Sequence, residues 1–240
     1  MDERQTIELG DITVDVVKKD IKNLHLSVYP PNGNVRISAP QRMDLATIRL
    51  FAVSKLRWIK QEQRKQRAQE REAPREYLNR ESHYLWGKRY LLDVVEKDAP
   101  PNLNHNHSQM TLQVRPGADA AKKRAIIDES YRQQLKSAIP PLIAKWEQLM
   151  GVTVADFTVR KMKTKWGSCS PESRTIRFNL DLAKKPPAFL EYVVVHEMVH
   201  LLEPTHNSHF IALMDKFMPK WKFYRDVLNR LPLSYKRWDK

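Results

Sequence analysis

The amino-acid sequence predicts an α+β protein, and three observations point to this class. Short stretches with alternating apolar residues, typical of strands, occupy residues 6–38 near the start of the chain. A long helical periodicity runs from Asp119 to Met150. A helix that is apolar on nearly every side is predicted to begin at Pro186 and Pro187, as expected of a helix in the centre of a domain.

Composition limits the kinds of partner and compartment. The 240 residues include 42 Lys and Arg against 28 Asp and Glu, a formal net charge of +14. Such an excess favours anionic partners, such as nucleic acid or nucleotides, through a salt-sensitive attraction. The single cysteine, Cys169, excludes an intrachain disulfide. A polar start without a signal-peptide pattern, and no apolar run of membrane-spanning length, predict a cytoplasmic protein with no membrane partner.

Strands and a basic helix are predicted at the N-terminus. The strands are marked by alternation at Ile12–Val16, Leu24–Val28 and Val35–Ile37. Asp44 can cap a helix over about residues 44–73, whose apolar stripe stops after Ile59. The sequence then reads KQEQRKQRAQEREAPRE. These charges form either a solvated helix face or an arm that binds nucleic acid or another polyanion.

The middle of the chain predicts a hairpin over residues 84–95, a loop over residues 99–109 and one more strand over residues 110–114. The long helix follows, and Pro140 and Pro141 predict a break or kink in it. Gly151 is placed to terminate it. No internal repeat is evident along the chain.

A β region is predicted directly before the apolar helix. Residues 154–160 alternate as a strand, and residues 166–170 lead through a turn into a return strand at Ile176 and Phe178. The helix is expected from the prolines at 186 and 187 to about Glu203, because Pro204 cannot continue it.

The apolar helix carries His196, Glu197 and His200 in the order HExxH. Residues four apart share a helix face, so both imidazoles can reach one zinc ion. A catalytic zinc requires a third ligand and an open position for water. The chain turns at Pro204 and brings His206, which we predict as that ligand; His209 is the competitor.

This pattern indicates water activation. Zinc lowers the pKa of its bound water towards about 7, and Glu197 lies next to the first histidine, where it can accept the proton and pass it to the leaving group. Cys169 is expected to pack in the core, because a fourth protein ligand would close the site.

Four runs resemble the YgjP-like metallopeptidase family, a relative of the SprT-like zinc proteases. They are KTKWGSCS at 163–170, IRFNL at 176–180, YVVVHEMVH at 192–200 and HNSHF at 206–210. The resemblance implies a zincin-like core, an antiparallel hairpin plus the HExxH active-site helix, and supports His196, His200 and His206 as ligands and Glu197 as catalytic. It also implies that residues 166–170 form a strand that pairs with an extended peptide. Ile211 stands where the family often has Trp.

Residues 1–118 are therefore expected to form a strand-rich region with the basic helix, and residues 119–240 the metal-binding catalytic core, within one compact unit. The function that fits best is a zinc metallopeptidase. Two alternatives stay open, a metal-dependent nucleoside triphosphate hydrolase and a protease that acts on proteins bound to nucleic acid. The motif does not separate them, because zinc-activated water attacks carbonyl and phosphoryl centres alike.

Overall fold

A computed structural model describes residues 4–29, 33–68, 75–162 and 165–230. Contacts between Cα atoms divide the chain into two compact units, Met1–Arg71 and Glu72–Lys240. This division differs from the expected boundary after residue 118. The strands between residues 82 and 114 share one apolar core with the helices that follow them, and therefore belong to the second unit.

The first unit is a four-stranded sheet with two helices. Its strands are β1 (Arg4–Leu9), β2 (Ile12–Lys19), β3 (His25–Tyr29) and β4 (Asn34–Pro40), in the order β1-β2-β4-β3. Alternate residues of β2 are buried, which is why its period-two pattern could be recognised. Its core includes Val14, Ile37 and, from the helices, Ile48 and Ile59.

The helix expected over residues 44–73 is two helices in the described residues, α1 (Leu45–Ser54) and α2 (Leu56–Ala68), separated at Lys55. Residues 69–73 lie outside the described residues. Asp44 caps α1 as predicted, since its carboxylate accepts a hydrogen bond from the backbone N–H of Thr47.

The second unit begins with another four-stranded sheet. Its strands are β5 (Ser82–Leu85), β6 (Lys88–Glu96), β7 (Asn102–His105) and β8 (Gln109–Val114), in the order β5-β6-β8-β7. The segment expected to be only a loop over residues 99–109 contains β7. The long helix α3 (Ala120–Met150) is continuous through Pro140 and Pro141, and Gly151 ends it in the left-handed conformation.

The two sheets have the same topology, contrary to the expectation of no internal repeat. In each, the second and fourth strands pair parallel, and the first and third pair antiparallel with them. The register also matches. Asp15 lies opposite Arg36, the third residue of β4, and Asp93 lies opposite Thr111, the third residue of β8. These aspartates begin the related sequences DVVKKD and DVVEKD. A ββββα arrangement is therefore present twice.

Aspartate caps the helix that follows each sheet. Asp44 accepts from Thr47 at 2.7 Å and Asp119 accepts from the backbone N–H of Lys122 at 2.8 Å. We expect Asp119→Ala to lower the free energy of unfolding by about 1 kcal/mol and Asp44→Ala to lower it as well, because in each case a backbone donor loses its partner. Urea titration measures this, with Asn at each position as the matched control. An Asn variant as unstable as the Ala variant would contradict the capping role.

The remainder of the second unit packs around the buried helix Pro187–Val199. Its strands are β9 (Asp156–Arg160), β10 (Gly167–Ser170) and β11 (Thr175–Asn179), in the order β10-β11-β9, followed by a 3-10 helix (Leu180–Lys184), α4 (Pro187–Val199), α5 (Ser208–Phe217) and α6 (Trp221–Arg230). As predicted, β10 and β11 form an antiparallel hairpin ahead of the apolar helix, from which the 3-10 helix separates it. No helix among the described residues is long and apolar enough to cross a membrane.

Candidate metal centre

Helix α4 carries the first two histidines and Glu197. Nine of its thirteen residues are buried, as the apolar sequence predicted, and among them Glu197 is only 5% exposed. The helix ends at Val199 instead of near Glu203, and His200 forms its C-cap. Since His200 keeps a helical conformation, it still lies one turn beyond His196 on the same face.

The turn after α4 is held together by Glu203. Its carboxylate accepts hydrogen bonds from the backbone N–H and the hydroxyl of Thr205, at 3.1 and 2.8 Å. These bonds, the hydroxyl bond first, lower the pKa of Glu203 to about 2. Asn207 then caps α5 by accepting from the backbone N–H of Phe210. His206 is thus carried on a short segment fixed at both ends.

The structure brings His196, His200 and His206 together. One ring nitrogen from each lies within 4.8 Å of the others, and the Nε2 atoms of His196 and His206 are 3.1 Å apart. The buried ring of Phe210 packs against all three imidazoles, with centroid distances of 5.1, 4.8 and 4.6 Å. The aromatic ring therefore restricts the orientations of the cluster.

This cluster fits a metal ion. Two nitrogens on a tetrahedral zinc with bonds of about 2.0–2.1 Å lie roughly 3.3 Å apart, close to the observed separation. His200 Nδ1 lies 3.2 Å from the carbonyl oxygen of Glu203, so an Nδ1–H tautomer donates there and leaves Nε2 for the metal. Burial, reinforced by His200 and His206, lowers the pKa of His196 to about 3. The neutral imidazole that a metal needs is thereby favoured.

Glu197 lies beneath strand β10. Burial raises the pKa of its carboxyl to about 8, opposed by the positive charge of Lys165 and by a hydrogen bond from the backbone N–H of Cys169. A Cβ atom on Gly167 would lie only 2.5 Å from Glu197 Oε1. The absence of a side chain at Gly167 therefore leaves the space that the carboxylate occupies.

A cleft of about 710 Å³ opens over the three histidines and Glu197. One wall is β10, which lies at one edge of its three-stranded sheet. The backbone N–H of Asn179 donates to the carbonyl of Trp166, so by the alternation of antiparallel pairs Ser168 also bonds to β11. The backbone groups of Gly167 and Cys169 consequently point away from β11, on the side of the cleft.

The residues that competed for a ligand role lie apart from the cluster. His209 is exposed, and its Nδ1 atom lies 3.3 Å from the carboxylate of Glu203. Cys169 is half-buried and lines the cleft, and burial, followed by the charge of Glu197, raises the pKa of its thiol to about 11. Ile211 also lines the cleft.

Three features of the site were not predicted from the sequence. They are the contact of Gly167 with Glu197, the charge of Lys165 at the cleft wall and the packing of Tyr192 against His196. The only sequence signal for the first two was the run KTKWGSCS, whose backbone and charge arrangement depends on pairing with β11.

Comparisons with known proteins give a family. A family model described as "YgjP-like, metallopeptidase domain" matches residues 22–231. A comparison with curated proteins found no significant match. Among solved structures, the metallopeptidase zymogen abylysin of Pyrococcus abyssi is similar at 22% identity over 37% of this chain and 89% of that chain, with a TM-score of 0.35. The zymogen jannalysin of Methanocaldococcus jannaschii gives 16% identity, 39% and 92% coverage, and a TM-score of 0.32.

Proposed function

Because the chain belongs to the YgjP-like metallopeptidase family, we propose that it is a zinc-dependent peptidase with a zincin-like core. The observation that carries this proposal is the clustering of three imidazoles beside a buried carboxylate, all at one open cleft. His196, His200 and His206 would hold the zinc ion. Bound there, zinc would supply a Lewis acid and acidify a coordinated water.

Glu197 is the proton carrier of the proposed reaction. It accepts a proton from the attacking water and delivers it to the leaving amine. Burial raises its pKa in the metal-free protein, whereas a nearby dication favours the ionised form. The Cys169 backbone N–H holds one face of the carboxylate and so orients it for proton transfer.

The substrate binds as an added strand on β10. The backbone groups of Gly167 and the carbonyl of Cys169, on the edge of β10 away from β11, supply hydrogen bonds that do not depend on substrate sequence. An unfolded or extended polypeptide is therefore the substrate class that fits best. Since the N–H of Cys169 bonds to Glu197, the carbonyl of Cys169 and both backbone groups of Gly167 are the ones available to such a strand.

The test compares two substrate classes with the same purified protein. We expect cleavage of an unfolded polypeptide, loss of cleavage with a zinc chelator, and recovery on adding zinc at the protein concentration. Nucleoside triphosphates, with and without DNA present, are the second arm. Turnover of triphosphates without peptide cleavage would replace this proposal with the phosphohydrolase alternative. Peptide cleavage that requires DNA would favour a protease acting on proteins bound to nucleic acid.

The third ligand can be tested by a matched pair of histidine variants. We expect His206→Ala to lower zinc content from about one ion per chain to a small fraction, because only two cluster nitrogens stay. His209→Ala is the control, since its ring lies against Glu203 and outside the cluster. Elemental analysis of dialysed protein measures both. Zinc retained in His206→Ala but lost in His209→Ala would reverse the assignment.

A further inference from the structure

Lys165 lies at the wall of the cleft, and among the described residues its ammonium group forms no ion pair. It lines the same cleft as His196, Glu197 and His200. Arg225 also lines the cleft, but its charge is already paired with a carboxylate. Its guanidinium lies over the Trp221 ring, 4.9 Å from the centroid, and pairs with Asp226 at 2.9 Å.

The charge of Lys165 acts on the centre of the site. After burial, it is the strongest influence on the pKa of Glu197, and it also contributes to lowering the pKa of His200. Both groups flank the position where water would be activated. Because Lys165 lines the same cleft as Glu197 and His200, its ammonium group faces the space that a bound substrate would occupy.

A buried amide fixes the backbone at Lys165. The side chain of Asn179, which is fully buried, donates from Nδ2 to the carbonyl of Lys165 at 2.8 Å and to that of Met162 at 3.0 Å. Its Oδ1 atom accepts from the backbone N–H of Asp181 at 3.1 Å. Asn179 therefore ties the start of the 3-10 helix to the segment that leads into β10.

Tyr192 lines the same cleft and is a neutral alternative to Lys165 as the group that stabilises an anion. Its ring stacks on Tyr224 at 6.2 Å and lies against His196 at 5.9 Å. Burial raises the pKa of its hydroxyl to about 12, so it is protonated at neutral pH and carries no positive charge. An anion that forms during a reaction is stabilised more by an ammonium group than by a neutral hydroxyl.

We propose that Lys165 stabilises the oxyanion that forms during peptide hydrolysis, and that Asn179 is its positioning residue. This inference rests on the proposed peptidase function. As the water oxygen bonds to the carbonyl carbon, one water proton passes to Glu197 and the C=O electron pair moves onto the oxygen, where Lys165 meets the new charge. The C–N bond then breaks, the carbonyl re-forms, and Glu197 returns the proton to the amine.

Lys165→Met removes the charge and keeps most of the side-chain volume. We expect kcat to fall about 10²–10³-fold, with KM changed less than about threefold, because the charge is met only in the transition state. Lys165→Arg is expected to recover all but about tenfold. Lys136→Met, an exposed lysine of α3, is the matched control and keeps wild-type kinetics.

A phosphinic peptide supplies a readout that misfolding does not mimic. Its phosphinate oxygens carry the charge of the tetrahedral state, so the inhibition constant is expected to rise in Lys165→Met by about the factor lost in kcat/KM. Binding of the product that begins with the new amine, which has no carboxylate at the reacting centre, is expected to change less than about threefold. Equal weakening of both ligands would show that Lys165 only binds substrate and would overturn the inference. So would unchanged kcat in Lys165→Met, or a comparable loss in Tyr192→Phe alone.

A double-mutant cycle tests Asn179. Asn179→Ser is expected to lower kcat by about tenfold or more alone, but by less than about twofold in the Lys165→Met background, because it acts through that residue. If Asn179→Ser lowered kcat equally in the wild-type and Lys165→Met proteins, Asn179 would not act through Lys165. The failures are distinguishable: wild-type protein without peptidase activity rejects the proposed function, whereas active wild type with an equally active Lys165→Met rejects only this inference.

Discussion

Replacing Glu197 by glutamine is expected to lower kcat for peptide hydrolysis by about 10²–10⁴-fold while leaving the zinc content unchanged. The amide keeps the shape of the side chain but cannot accept the proton of the attacking water. Steady-state kinetics with metal analysis measures both effects. The matched control is Glu191→Gln on the same helix, where the carboxylate pairs with Lys145 at 2.7 Å. Activity retained in Glu197→Gln would remove the proposed mechanism.

Glu197→Gln is also expected to change how the stability of the metal-free protein depends on pH. Burial raises the pKa of Glu197 to about 8 in the folded protein, from its ordinary value of 4.5. Between these values the folded state binds more protons than the unfolded state, so wild-type stability is lost as pH rises from 4.5 to 8. Glu197→Gln lacks this loss. We expect the free energy of unfolding of the metal-free variant to exceed that of metal-free wild type by on the order of 3 kcal/mol at pH 8. At pH 4.5 the two values should differ little.

Urea unfolding of chelator-treated proteins at several pH values measures this difference. His196, whose pKa is lowered to about 3, adds the opposite trend, since stability falls as pH drops from 6.5 towards 3. That contribution is common to both proteins and cancels when they are compared at each pH. A constant difference between the two proteins across this range would contradict the raised pKa.

Adding one methyl group at Gly167 is the second large expected effect. The new Cβ would lie 2.5 Å from Oε1, 2.7 Å from Cγ and 2.9 Å from Cδ of Glu197. The buried carboxylate must shift from its position to relieve this contact. Because a misplacement of about 1 Å in a catalytic group can cost about 10²-fold, we expect Gly167→Ala to lower kcat by at least about that factor.

The effect of Gly167→Ala is expected to come from the contact with Glu197 and not from backbone strain at residue 167. Gly167 is not in the left-handed region, whereas Gly87 is, at φ +79°. Alanine at 167 therefore meets the carboxylate without a backbone penalty. Ser170→Ala at the other end of β10 is the control, and thermal unfolding monitors the fold. Wild-type kcat in a folded Gly167→Ala protein would show that β10 does not position Glu197.

Local patterns were sufficient where a neighbour in sequence is also a neighbour in space. The HExxH spacing placed two histidines on one helix face, and the break at Pro204 indicated that His206, not His209, would return to them. The expected loop over residues 99–109 instead contains β7, whose pairing with β8 the local sequence does not reveal. Pro140 and Pro141 did not break α3, because a helix that packs over a long apolar face tolerates a lost backbone bond.

The sequence by itself determined most of the strand and helix periodicities, the helix-terminating roles of Asp44 and Gly151, and the set of histidines that could hold a metal. Only the tertiary structure decided the repeated ββββα topology, the fit of Gly167 over Glu197 and the anchoring of Lys165 by Asn179. The physical reason is range. Periodicity and capping depend on residues three or four apart, whereas strand register and side-chain packing depend on segments that meet only when the chain folds.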